Sequence, residues 1–137
     1  RPCIMASLLK VDALTGVTAA GSISVTGEGN STTTNLQQGL TKGWGHFEGS
    51  DGTLDDSFNM ASLTDNGTGI FSPQFSNSMA NVHYTCNANM NSSVVSSNQT
   101  EVSIGTYATG SVKLTFRDGG STVDKDDSVF IIHGDLA

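Results

Sequence analysis

Apolar and polar residues alternate with a period of two over most of the chain after Lys42, a pattern typical of β-strands that bury one face. The clearest run is 82–90, where Val82, Tyr84, Cys86, Ala88 and Met90 share one face. Similar runs predict strands at 44–47, 58–60, 71–75, 102–106, 112–117 and 129–132. Short strands at this spacing predict a mainly β protein built as an antiparallel β-sandwich.

Three local signals refine this prediction. The cluster Asp65–Gly69 (DNGTG) is rich in turn formers and predicts a hairpin between two strands. Pro73 cannot donate a ladder hydrogen bond, so we expect either an edge strand or a proline at a non-bonded position. Residues 129–132 form a continuous apolar run, which predicts a strand buried on both faces.

The N-terminal third has a different pattern. Residues 1–30 hold a few apolar side chains separated by glycines, and we expect an extended or β arm that is too small to fold alone. Residues 31–41 predict the one short helix, capped by Ser31 or Thr32, with Leu36 and Leu40 on one face. This stripe is compatible with a seam among identical copies or with packing on the chain's own sheet. Residues 42–137 are expected to form the sandwich domain.

The composition narrows the class of partner. The chain has a net charge of −7, and its few lysines and arginines are scattered. Nucleic acid and anionic membranes both attract clustered positive charge, so we expect neither as a partner. Both cysteines, Cys3 and Cys86, are expected to be unpaired thiols.

The chain contains no motif of a catalytic site. The G-x-S-x-G, H-E-x-x-H and C-x-x-C patterns are absent from the sequence, and we expect no enzyme and no cofactor. The three histidines, His46, His83 and His133, fall on different strands, with His83 exposed and His133 half-buried. A metal held by one histidine from each of three copies is the alternative to structural histidines.

Acidic residues cluster in two places, namely Asp51, Asp55 and Asp56 in the first and Asp124, Asp126 and Asp127 in the second. Neither cluster has the ligand spacing of a helix-loop-helix calcium site, so we expect solvated turn residues and no metal. Because Asp55 and Asp56 are adjacent in a strand, they are expected to point to opposite faces.

Two aromatic residues are candidates for sugar stacking. Trp44 and Tyr107 have flat rings, and the chain is rich in asparagine and aspartate, which hydrogen-bond to sugar hydroxyls. Packing in the core or in an interface is the alternative for both rings.

A family resemblance covers about residues 9–84. The segment 35–44 (NLQQGLTKGW) resembles an entry seen in many phage fibre and virion-surface proteins, notably of marine and cyanobacterial phages. The segments 9–12 (LKVD), 57–59 (SFN), 63–69 (LTDNGTG), 71–75 (FSPQF) and 81–84 (NVHY) continue the resemblance. The chain departs from the family pattern at 45–50 (GHFEGS in place of NFNGTG) and at Pro73 (in place of valine).

The resemblance implies a homotrimeric component of the virion surface, in the tail or on the head. An N-terminal arm would dock to a larger virion protein through Leu8, Leu9, Val11 and Leu14. The expected trimer interface comprises Leu36, Leu40 and Ile131, and the sandwich would face outwards for host attachment, with a cell-surface glycan as candidate ligand. The alternatives are a capsid decoration protein or head fibre without a receptor, and a secreted carbohydrate-binding module.

Overall fold

A computed structural model of the chain describes residues 10–18, 23–26, 32–91 and 100–137. They belong to two units, one ending at Gly39 and the other beginning at Leu40. The described residues are mainly β, with antiparallel sheets and one short helix.

In the first unit, β1 (Ser24–Thr26) pairs antiparallel with β2 (Thr33–Asn35), and α1 (Leu36–Gly39) follows directly. The Asn35 side chain caps the helix, since its Oδ1 accepts a hydrogen bond from the backbone N–H of Gln38 at 3.2 Å.

The predicted helix over 31–41 is therefore wrong in its extent and in its cap. The β-branched residues Thr33 and Thr34 favour the extended backbone of β2, and the helix ends at Gly39. Leu40 lies outside it, so Leu36 and Leu40 do not form a helical stripe. Ser31 lies outside the described residues.

The second unit is built from two sheets. Its described strands are β3 (Gly43–Glu48), β4 (Thr53–Phe58), β5 (Met60–Asp65), β6 (Ile70–Phe75), β7 (Thr85–Asn89), β8 (Thr100–Ala108), β9 (Ser111–Asp118), β10 (Ser121–Thr122) and β11 (Ser128–His133). One sheet has the order β4-β3-β11-β7. In the other, β5 pairs with β6 and β6 with β9, while β8 and β10 also pair with β9. All these pairings are antiparallel.

The inner faces of the two sheets share one core. The Phe47 ring on β3 lies 5.1 Å from the Phe71 ring on β6 and 5.8 Å from the Phe116 ring on β9, measured between centroids. Phe47, Phe71 and Phe116 are at most 1% exposed, and Phe130 of β11 packs on Phe47 from within its own sheet. The predicted antiparallel β-sandwich is therefore confirmed.

Alternation predicted the buried face of several strands correctly. On β6, Phe71, Pro73 and Phe75 all point into the core. Of the two options predicted for Pro73, the edge strand does not apply, because β6 lies between β5 and β9. The other option holds: the β6–β9 ladder has pairs at Phe71 and Gln74 and none at Pro73, so the missing N–H breaks no pair with β9.

The predicted strand through Phe58 and Met60 is wrong, because Asn59 divides it. Asn59 has φ 60°, a left-handed conformation that ends β4 in one sheet and starts β5 in the other. The Asn59 side chain donates to the carbonyl oxygens of Lys42 (2.9 Å) and Asn77 (3.1 Å). Its Oδ1 accepts from the backbone N–H (2.7 Å) and the side-chain amide (3.1 Å) of Asn77. Asparagine is thus suited to this corner both by its backbone and by its amide.

We expect Asn59→Ala to lower the free energy of unfolding by about 2–3 kcal/mol. Alanine is strained in the left-handed backbone conformation, and it lacks the amide that makes the four hydrogen bonds. Asn59→Gly is the matched control, since glycine tolerates this φ and loses only the hydrogen bonds. Urea denaturation of the three proteins measures both losses. Equal stability of the wild type and both variants would contradict this role for the corner.

The expectation that β11 is buried on both faces is also wrong. Ser128, Phe130 and Ile132 point into the core, whereas Val129 is 42% and Ile131 is 39% exposed. The strand lies between β3 and β7, but the second sheet covers only one of its faces. Its outward apolar residues are left on the surface of the described chain.

Two smaller differences concern other predicted faces. Val82 is 44% exposed, whereas Tyr84 and Met90 of the same predicted face are buried. The β8–β9 register shifts between Ile104 and Tyr107. As a result Tyr107, rather than the expected Thr106, continues the inward face of β8.

Candidate functional site

The outer face of the four-stranded sheet carries a row of exposed apolar side chains. Trp44 on β3 is the register partner of Phe58 on β4 and of Ile131 on β11. The exposed fractions are 51% for Phe58, 36% for Trp44 and 39% for Ile131. Directly opposite residues in a sheet have neighbouring side chains on one face, so these three form a continuous strip, called the apolar row below.

Polar residues frame the apolar row. Asn87 on β7 is the other register partner of Ile131 and extends the row by an amide. The adjacent rung across the sheet comprises Asp56, His46, Val129 and Asn89. The four strands contain no lysine or arginine, so no cationic side chain of these strands adjoins the row.

This arrangement has the chemistry of a small amphipathic binding surface. Aromatic rings bury the apolar faces of a ligand, while amide and carboxylate groups at the margin bind its hydroxyls. With Val129, the apolar row exposes roughly 300 Å² of apolar side chain, judged from typical areas of these residue types. A standard protein interface buries about 800 Å² on each partner, so the row alone matches a small ligand better than a whole subunit.

The structure brings together two residues that were predicted for different contacts. Trp44, the candidate for glycan contact, lies beside Ile131, a candidate for the trimer interface. Tyr107, the second glycan candidate, packs with its ring 5.0 Å from the ring of Tyr84, and partial burial raises the pKa of Tyr107. Phe58 was missed. A regular hairpin about the turn at Gly49–Gly52 would place Ser57 opposite Trp44, and only the extra residue in β4 shifts Phe58 to that position.

The other predicted interface residues are Leu36 of the first unit and Leu40 of the second. Leu36 is half-buried in α1, and Leu40 is 53% exposed at the start of the second unit. Val11 and Leu14, predicted for docking to a virion protein, are 55% and 56% exposed. Leu8 and Leu9 lie outside the described residues. The docking and trimer assignments stay predictions.

A second cluster surrounds His46 on the same outer face. The His46 Nδ1 atom lies 2.9 Å from Asp55 Oδ2, and its Nε2 lies 3.4 Å from Asp127 Oδ1. Asp55 and Asp127 come from the two acidic clusters of the sequence, which the fold therefore joins. Among the described residues, one group has potential ligand atoms close enough together to hold a metal ion. It comprises His46, Glu48 and Asp55.

A β-bulge explains why Asp55 reaches His46. The β3–β4 ladder pairs His46 with Asp56 and Phe47 with Leu54, which leaves Asp55 as the extra residue. The expectation that Asp55 and Asp56 point to opposite faces is therefore wrong. Asp55 contacts His46, and Asp56 is the register partner of His46.

The negative charges of this cluster act on each other. Desolvation, the hydrogen bond shared with Asp55 and the charge of Asp126 raise the pKa of Glu48. The backbone N–H of Ser50 donates to Asp126 Oδ1 at 2.9 Å, and this contact lowers the pKa of Asp126. The cluster thus gathers several carboxyl groups close to a single imidazole.

The DNGTG segment forms the predicted hairpin turn between β5 and β6. Asp65 Oδ1 accepts from the N–H of Gly67 at 2.8 Å, and Asp124 Oδ1 accepts from the N–H of Gly69 at 2.6 Å. Asp124 therefore has a structural role and ties the segment before β11 to this turn.

Comparison with known proteins gives no match to any family model, curated protein or solved structure. Among the described residues, no helix has the length and apolar character that crossing a membrane requires.

Proposed function

We propose that this chain is a non-enzymatic structural protein of a phage particle, namely a short tail fibre or fibre-like surface protein. Its β-sandwich attaches to a neutral glycan of the host surface through the apolar row. The resemblance of residues 9–84 to phage fibre and virion-surface proteins supports the class of protein. The observation that carries the attachment role is the exposed row of Phe58, Trp44 and Ile131 within a polar frame.

The chemistry of this face favours a neutral sugar. Stacking on Trp44 and Phe58 would bury the C–H face of a pyranose ring, and Asn87 lies in the same row to bind hydroxyls. An anionic glycan would meet Asp56 and a chain with a net charge of −7. Like charges repel across such a contact, so we propose a polysaccharide without acidic groups.

Within this proposal the other parts have mechanical roles. The N-terminal arm, including Val11 and Leu14, docks to a larger virion protein, and three copies associate through surfaces that include Leu36 and Leu40. Ile131 is reassigned, since it belongs to the apolar row together with Trp44. A surface of this size can bind a ligand or form a subunit contact, but not both at once. Its polar frame favours ligand binding.

The test is binding of the full chain to an array of neutral and acidic bacterial polysaccharides. We expect binding to neutral polysaccharides, with Trp44→Ala and Phe58→Ala each weakening it by about tenfold or more through loss of ring stacking. Val82→Ala is the matched control, because Val82 is 44% exposed but lies outside the row. Light scattering of the same proteins should give a trimer for each.

The alternatives predict different results. A capsid decoration protein or head fibre should form its oligomer and bind no polysaccharide of the array. A secreted carbohydrate-binding module should bind as a monomer. Loss of the trimer in Trp44→Ala and Ile131→Ala would assign the row to subunit contact, which would refute its role in attachment.

A further inference from the structure

The cluster around His46 has the geometry of a metal site, a feature that the attachment role does not use. His46 and Glu48 are two residues apart on β3 and therefore share a face, and the bulge in β4 brings Asp55 to them. One potential ligand atom from each of the three residues lies within 4.8 Å of the others. Two of these atoms, His46 Nδ1 and Asp55 Oδ2, are 2.9 Å apart. Ligands of a tetrahedral ion bound at 2.0–2.2 Å are separated by about 3.4 Å, so small side-chain rotations would bring these atoms to coordination distance.

The imidazole distinguishes this cluster from an acidic surface patch. While Nδ1 faces Asp55, the opposite ring nitrogen Nε2 lies 3.4 Å from Asp127 Oδ1. Asp127 is itself held in place, because its Oδ2 accepts a hydrogen bond from the Asn91 amide at 3.0 Å. Histidines that bind metals commonly direct the second ring nitrogen to a carboxylate, which sets the tautomer and orients the ring. His46 has that arrangement, and an ion at Nδ1 would replace the present contact of this atom with Asp55 Oδ2.

The local charge favours a cation at the same point. Asp55 and Asp127 both face the His46 ring, and Glu48 lies on the same face of β3. The described ion pairs of Asp55 and Asp127 both involve His46, while Lys125 pairs with Asp118 at 3.4 Å. A divalent ion between His46, Glu48 and Asp55 would neutralise part of the charge of these carboxyl groups.

We propose that His46 Nδ1, Glu48 and Asp55 bind a divalent first-row transition ion, with Asp127 orienting the imidazole. An imidazole ligand favours Zn²⁺ over Ca²⁺ and Mg²⁺, which prefer oxygen ligands alone. Three protein ligands leave further positions for water. The ion connects β3 to β4 and, through Asp127, to the segment that precedes β11. Its role is to fasten these segments, and the proposal is independent of glycan binding.

The experiment is calorimetric titration of the full, untagged chain with Zn²⁺ and, separately, with Ca²⁺. We expect saturable Zn²⁺ binding at a single site and at least about tenfold weaker binding in His46→Gln and Glu48→Gln, since each removes a ligand. The matched controls are His83→Gln and Asp56→Asn, an exposed histidine and a neighbouring carboxylate outside the triad. His83→Gln should bind Zn²⁺ like the wild type, and Asp56→Asn, which removes a nearby charge but no ligand, should weaken binding far less than His46→Gln does. Zn²⁺ should also raise the melting temperature of the wild type more than that of His46→Gln.

A second measurement does not depend on any variant. Nuclear magnetic resonance of the imidazole nitrogens should show the Nδ1 signal of His46 shifting on addition of Zn²⁺, with His83 unaffected at one equivalent. No saturable binding up to about 1 mM Zn²⁺, where mass action would stabilise even a weak complex, would overturn the proposal. Binding that His46→Gln and Glu48→Gln leave unchanged would overturn it as well.

Discussion

Gly69→Ala is expected to destabilise the sandwich by about 3 kcal/mol, because the substitution combines backbone strain with a backbone clash. Gly69 has φ 68°, in the left-handed region that costs L-residues energy. An added Cβ would also lie 2.6 Å from both the Phe116 carbonyl oxygen and the Val123 nitrogen. These are backbone atoms of β9 and of the segment after β10, which cannot rotate away as a side chain can. The turn would have to move off the sheet, which would break the contact of the Gly69 N–H with Asp124.

Gly120→Ala is the control that separates the two effects. Gly120 also has a positive φ, 87°, but an added Cβ would meet no atom within 4 Å. We expect it to cost about 1 kcal/mol from the backbone alone. Guanidinium denaturation measures the difference, since the midpoints of the two variants can be compared directly when their m-values are equal. Equal losses in the two variants would show that close packing against Phe116 and Val123 is unimportant.

Phe47→Ala is expected to be the most damaging truncation on β3, with a loss of about 3–5 kcal/mol. The Phe47 side chain is fully buried, and its ring contacts Phe71 and Phe116 of the facing sheet and Phe130 of its own. Alanine would remove ring contacts on three strands at once and leave a cavity that rigid sheets close only partly.

Phe58→Ala is the matched control for this truncation, since the same side chain is 51% exposed on β4. It should change the free energy of unfolding by less than about 1 kcal/mol. Thermal and urea unfolding of both variants give the comparison. If Phe58→Ala proved as damaging as Phe47→Ala, the outer face of the sheet would have to be covered in the folded protein.

Much of the sandwich could be predicted from alternation, and the successes have one physical basis. Strands such as β6 and β9 bury one face and expose the other, so their apolar residues recur at every second position. The hairpin at Asp65–Gly69 was predicted because glycine is needed where φ is positive, as it is at Gly67 and Gly69.

The errors arise where one residue alters the geometry. Asn59 continues the apparent period between Phe58 and Met60, yet its positive φ passes the chain to the other sheet. At Asp55 an extra residue in β4 shifts the alternation without any change in composition. Val129 and Ile131 are apolar residues on a solvent-facing side, and periodicity cannot distinguish that arrangement from burial on both faces.

The two surface sites were accessible to sequence reasoning only in part. Trp44 and Ile131 were both predicted as contact residues, but they lie far apart in the chain. That they are neighbours depends on the β3–β11 register. The triad of His46, Glu48 and Asp55 has no recognisable spacing, because its third member is supplied by the bulge.

The bulge at Asp55 also affects the tendency of the protein to associate with other copies of itself. Among the described strands β4 lies at the edge of its sheet, and the outward backbone groups of an edge strand can pair with a strand of another molecule. A bulge interrupts the regular repeat that such pairing needs, and Asp55 and Asp56 add two carboxylates along that border. The bulge that brings Asp55 to His46 therefore also disfavours edge-to-edge pairing of β4 with other molecules, and so disfavours aggregation.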